Sequence, residues 1–164
     1  MKFFTKFPLL VMLAIFSFSC TTDSLDDKAN DVQLNIVSTE TKPIEVEILE
    51  LINSHRLSLG LNALSDMSLV KSVAYSHTDY MVDNNIVSHD NFFMRSSYLK
   101  ENAGAKFVSE NVAYGYTSAE TVVKAWLKSE GHKANIEGDF TNFDVSAEES
   151  VDGKWYYTNI FIKK

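Results

Sequence analysis

The sequence predicts an α+β domain on three observations. Beyond residue 42, apolar residues recur at helical spacing through the first half of the domain. A strand-like alternation follows at 108–115 (VSENVAYG). Two further alternating runs, FDVSAEES and WYYTNIFI, then flank a Val-Asp-Gly-Lys turn at 151–154. Helices first, then strands mixed with helices, with a closing antiparallel pair, is the order of an α+β fold with a small antiparallel sheet.

At 164 residues the chain suits one domain preceded by a leader. Residues 1–19 read as a secretory signal: Lys2 and Lys6 precede the apolar run FPLLVMLAIFSFS, shorter than the roughly 20 residues a spanning helix needs. Cys20 follows directly and is the only cysteine. A lone thiol in that place resembles the acylated cysteine of a bacterial lipoprotein, with Ser17 where leucine is usual. The alternative is ordinary cleavage after Ser17-Phe18-Ser19. Either reading excludes an internal disulfide or a cysteine nucleophile. Residues 20–42 then form the lipidated cysteine and a polar, acidic tether, with VQLNIV (32–37) as a competing edge strand. The net charge of −7, more negative still without Lys2 and Lys6, argues against nucleic acid as a partner.

The domain spans 43–164. Pro43, Glu45 and Glu47 suit a helix start, Ile44, Ile48, Leu51, Ile52 and His55 share a stripe, and Gly60 suits a left-handed close. Asp66 is placed to cap a second helix from about Met67 to Asn84, with Leu69, Val70, Val73, Ala74, His77 and Met81 inward. A short helix over 92–102 stops at Gly104. In the strand that follows, Glu110 shares parity with Val108, Val112 and Tyr114, which puts a carboxylate on an apolar face and demands a partner. The alternative there is a turn with Glu110 in solvent. Thr117-Ser118-Ala119-Glu120 is a capping box opening a helix that ends at Gly131.

Several chemistries are absent. There is no G-x-S-x-G elbow, no glycine-rich phosphate loop, no H-E-x-x-H and no Cys/His zinc-finger spacing. Four histidines and a few acids remain. His55 suits a helix C-terminus and His77 a packing role on a core stripe. His89 sits in a loop that no packing stripe explains. His132, beside Gly131, reads alone as a helix-end histidine near the last carbonyls.

Taken together, S88-H89, then S109-E110-N111-V112-A113-Y114-G115, then A125-W126-L127-K128-S129-E130-G131-H132-K133-A134-N135-I136 resemble the CAP superfamily in its bacterial, SCP-like extracellular form. The opening ILELINSHRLSLGLNALSDMSLVKSVAYSHTDYM and the closing WYYTNIFI are similar as well, so the resemblance covers about residues 44–162. It implies a three-layer α-β-α sandwich with a cleft lined by His89, Glu110 and His132. Ser109 stands where the family has glycine and Lys133 where it has arginine. Glu130 lies one residue from the place of a further acid, as a possible contributor to the cleft, and Asp139 falls near a second histidine position of the eukaryotic branch.

The function implied is that of an extracytoplasmic CAP-domain lipoprotein at the cell envelope, a binding module anchored to the membrane by its lipid. Its ligand (small molecule, lipid or protein) is unknown. His89, His132 and Glu110 together match the donors of a divalent cation such as zinc. Competing readings are a hydrolase activating water through a metal or a histidine, a lipid- or sterol-binding groove, and a polar network that only fixes loops.

Overall fold

The computed structural model describes Met1, Leu34 and residues 36–164. The leader, Cys20 and most of the tether therefore lie outside the described residues. The described residues from Leu34 onward belong to one compact unit. Its elements are α1 (Pro43–Ser58), β1 (Ser65–Asp66), α2 (Ser68–Asn84), α3 (Phe92–Ala103), β2 (Phe107–Tyr114), α4 (Ala119–Lys128), α5 (Glu130–Glu137), β3 (Asn142–Glu149) and β4 (Trp155–Lys163).

The strands lie in the order β1-β3-β4-β2. Strand β4 runs antiparallel to both neighbours, while β1 pairs parallel with Asn142 and Phe143 of β3. The sheet is thus mixed, not wholly antiparallel. The connection after α1 runs beside β3 for two residues before α2 starts, and Asp66 ends that strand instead of capping the helix. Met67 holds the cap position, in extended backbone and without a side-chain bond.

Strand alternation sorts the core into layers. Tyr157 and Phe161 of β4 join Phe143, Val145 and Ala147 of β3 in packing against Ile48 and Ile52 of α1, Trp126 of α4 and Ile136 of α5. Ile160 and Ile162 face the other way, onto Val70, Val73 and Ala74 of α2 and Leu99 of α3. Helices cover both faces, so the three-layer α-β-α sandwich is observed. Two polar residues of β4 are fully buried: Thr158 Oγ1 accepts from the Thr78 hydroxyl at 2.9 Å, and Asn159 Nδ2 donates to the Asp144 carbonyl at 2.8 Å while its Oδ1 has no partner among the described residues.

Helix ends follow the sequence in part. Gly60 and Gly104 are left-handed at the closes of α1 and α3, and Gly153 at the β3–β4 turn. Gly131 differs. Helix α4 stops at Lys128, because Ser129 is extended (φ −91°, ψ 122°), and α5 begins one residue later. Gly131 lies inside α5, and His132 stands in that helix's first turn, not near the last carbonyls of α4. Ser129 needs no positive φ for the break, so no glycine is required there.

The described residues just ahead of α1 are docked on the domain. Ile36 packs on the Val70–Leu99–Ile162 cluster, and the Lys42 N–H donates to Glu45 Oε2 at 2.7 Å. Glu45, which the sequence marks only as suiting a helix start, is itself fully buried. It forms an ion pair with the buried Lys71 of α2, and its Oε1 accepts the Ala147 N–H of β3 at 2.8 Å. Lys71 Nζ donates to the Val145 carbonyl at 2.9 Å. Beyond the two residues paired with β1, side chains therefore bond the outer edge of β3. On the opposite edge, Trp126 Nε1 donates to the Val112 carbonyl at 3.1 Å, and Asn135 Nδ2 to the Glu110 carbonyl at 3.3 Å.

Candidate functional site

Glu110 sits on β2 with the parity its sequence implies, and only 6% of it is exposed. An ionised carboxylate there needs strong donors. Arg95 of α3, also buried, supplies a fork: Nε to Oε2 and Nη2 to Oε1, both at 2.8 Å. Its Nη1 donates to the Asp90 carbonyl at 2.6 Å, so the same guanidinium holds the loop carrying His89.

That loop is shaped at both ends by asparagine. Asn85 and Asn91 are the two non-glycine residues at positive φ among the described residues, at 51° and 58°. Asparagine tolerates this left-handed region better than most residues do. Tyr156 donates its hydroxyl to Asn85 Oδ1 at 2.9 Å. His77 reaches up from α2, buried and stacked on Tyr80, with Nε2 2.7 Å from the Ser88 carbonyl. A carbonyl only accepts, so His77 donates from Nε2. Its role is to pin the residue before His89, the packing function its stripe predicts.

His89 then points Nδ1 at Glu110 Oε1, 2.9 Å away, with half of its side chain exposed. An ionised carboxylate cannot donate, so Nδ1 carries a proton, and in the neutral imidazole the lone pair is on Nε2. Burial works to raise the Glu110 carboxyl. The hydrogen bonds from His89 and Arg95, with the charges of Arg95 and His77, outweigh it and hold the group below the usual carboxylate range. Burial lowers the His77 imidazole, and the Arg95 charge lowers it further.

His132 approaches the same strand from the other helical layer. Asn111 Nδ2 donates to the His132 carbonyl at 3.1 Å, and Asn135 Nδ2 to Asn111 Oδ1 at 2.8 Å. With Asn135 also bonded to the Glu110 carbonyl, α5 is fastened to β2 at two adjacent residues. The half-buried His132 imidazole is lowered by burial first and by the charge of His89 second.

Other expectations change. Glu130 is exposed in the first turn of α5, and no hydrogen bond or ion pair links it to His89, Glu110 or His132. His55 does lie in the last turn of α1, but its Nε2 meets Glu137 Oε1 at 2.8 Å and ties α1 to α5 away from the site. Among the described residues, no three His, Cys, Asp or Glu side chains converge closely enough to hold a metal ion. His89, Glu110 and His132 are thus not a preformed three-ligand set, because both oxygens of Glu110 are committed to Arg95. Sequence reasoning missed Arg95. Its signal is a cation on the inward stripe of α3, with Ser96, Leu99 and Ala103.

With this geometry in hand, comparison with known proteins places the chain. The profile of the cysteine-rich secretory protein family, CAP, matches residues 49–161. The uncharacterized membrane protein YlbC of Bacillus subtilis is 36% identical over 124 residues, covering 73% of this chain and 34% of that protein. The uncharacterized protein YkwD of the same organism is 37% identical over 114 residues, covering 65% of this chain and 43% of its own length. The chain therefore spans between a third and a half of the curated relatives it matches. Among solved structures, an outer surface protein of Borrelia burgdorferi superposes with a TM-score of 0.69 at 23% identity, covering 77% of this chain and 96% of that one. An extracellular protein of Bacillus anthracis containing an SCP domain gives 0.64 at 28% identity, covering 77% and 45%. Profile, relatives and architecture agree: the chain belongs to the CAP, or cysteine-rich secretory protein, family.

Proposed function

We propose that this CAP domain is an extracytoplasmic binding module, tethered to a membrane through Cys20, whose ligand meets the imidazoles of His89 and His132. The observation that carries the reading is the orientation of His89. A buried carboxylate, itself locked by Arg95, holds Nδ1–H and leaves Nε2 of the neutral imidazole as an acceptor. Carboxylates behind a histidine commonly orient it for a metal, acting from outside the coordination sphere. Glu110 is then an orienting group and not a ligand. Two imidazoles fit the nitrogen donors that zinc takes, with the remaining positions left to water or to a bound partner. A bound cation would supply positive charge at that surface.

Titration calorimetry of the metal-free full chain with zinc tests the reading. Saturable binding is expected, weakened by at least about tenfold in the His89→Ala/His132→Ala double variant. Equal heats from both proteins would remove the site from consideration.

The placement outside the cytoplasm draws support from the similar proteins described as outer-surface or extracellular, and from the membrane protein among the relatives. Lipid attachment rests on the position of Cys20 after the apolar leader. Cys20→Ser is expected to move the protein from membrane to soluble fractions; retention of the variant on membranes would refute the anchor.

A further inference from the structure

A groove of about 660 Å³ lies away from the two histidines, between α1 and the edge formed by β1 and β3. Val46, Leu49 and Leu57 of α1 supply its apolar wall. Val46 and Leu57 are 43% and 59% exposed, so they add little to the anchoring of α1, which rests on the fully buried Ile48 and Ile52.

The titratable residues lining the groove are all acids: Glu50 on α1, Asp66 on β1 and Asp144 on β3. Glu50 and Asp66 have no ion-pair partner among the described residues. Asp144 is 94% buried and accepts the N–H groups of Met67 and Val145 at 3.2 and 2.9 Å. The nearby Lys71 ammonium is engaged by Glu45 and the Val145 carbonyl. Burial first, with a smaller contribution from the charge of Asp66, lifts the Asp144 carboxyl to about 6 against the N–H groups of Val145 and Met67 and the charge of Lys71. A cation entering the groove would relieve that repulsion.

We propose that this groove docks a basic peptide segment of a partner protein, one alternating Lys or Arg with apolar side chains. The carboxylates occupy both walls, so the complementary ligand carries more than one cation, and the exposed α1 stripe requires apolar groups between them. Val46 and Leu57 are separated by about 16 Å along the helix, at 1.5 Å per residue. An extended segment of about five residues spans that distance. Opposite charges across such a surface steer and select a partner, while the apolar contacts hold it.

Fluorescence anisotropy of labelled Lys-Leu-Lys-Leu-Lys, titrated with the full chain, tests the proposal. Saturable binding is expected, weakened about tenfold by Glu50→Gln/Asp66→Asn and by a smaller factor by Leu57→Ser. All three positions are exposed or at the rim, so the fold should survive. His132→Ala should leave the affinity unchanged, which keeps this groove distinct from the histidine site. Absence of saturable binding, or equal affinity in the acid variants, would overturn the proposal. So would equally tight binding of Lys-Ser-Lys-Ser-Lys or spermine, because the groove would then be reading charge alone.

Discussion

Arg95→Met is expected to destabilise the domain by about 3–5 kcal/mol, because it strands a carboxylate inside the protein. Both oxygens of Glu110 lose their 2.8 Å donors, and the Asp90 carbonyl loses its hold on the His89 loop. Urea midpoints at pH 7 measure the loss. Their pH dependence separates this cause from simple loss of packing. In the parent protein Glu110 is held below the ordinary carboxylate range. Its contribution is therefore complete above the unfolded pKa and is lost as pH falls through the lower, folded value. Without the guanidinium, burial dominates and the folded carboxyl rises. The native state then binds more protons than the unfolded chain between the two values, so the variant loses stability as pH rises. Its deficit should accordingly shrink on moving from pH 7 to pH 5. A constant deficit would mean that Arg95 acts as packing. Replacing Glu110 and Arg95 together by leucine and methionine should recover much of the loss, since buried ion pairs add little over apolar residues of similar volume.

Glu45→Ala should cost a comparable amount, about 3–5 kcal/mol. The change leaves the Lys71 ammonium buried without its counter-ion and strips the acceptors from the Lys42 and Ala147 N–H groups. Two residues along the same helix, Glu47 is exposed. Glu47→Ala should stay within about 0.5 kcal/mol. Thermal or urea unfolding of the two variants side by side decides the matter, and similar small losses would show that Glu45 acts only through the helix dipole. Glu45→Gln keeps a hydrogen-bond acceptor while removing the charge, so an intermediate loss is expected.

These two carboxylates mark what the amino-acid order reveals and what it hides. Glu110 was legible because strands alternate: its parity with Val108, Val112 and Tyr114 makes burial visible within eight residues of chain. Glu45 was not, because a first-turn glutamate suits a solvated helix start equally well, and its burial depends on Lys71 and on a strand about a hundred residues away. Arg95 lay between these cases. A cation on the inward stripe of one helix and an anion on the inward face of the next strand are matching anomalies, but pairing them requires knowing that α3 packs on β2. The motif marks His132 as a candidate, while Gly131 suggests a helix end where Ser129 makes the break. Asn111 and Asn135 stood within the same motifs. Their part in fastening α5 to β2 emerges only when helix and strand are set side by side.

The side-chain bonds along both margins of the sheet have a consequence for behaviour at high concentration. A strand with unpaired N–H and C=O groups is a template on which another copy of the chain can grow. Here Trp126 and Asn135 occupy carbonyls of β2, while Glu45 accepts an N–H and Lys71 donates to a carbonyl of β3. The residues that assemble the core thereby also occupy part of each rim on which another copy could pair, which should lower the tendency of crowded copies to join edge to edge.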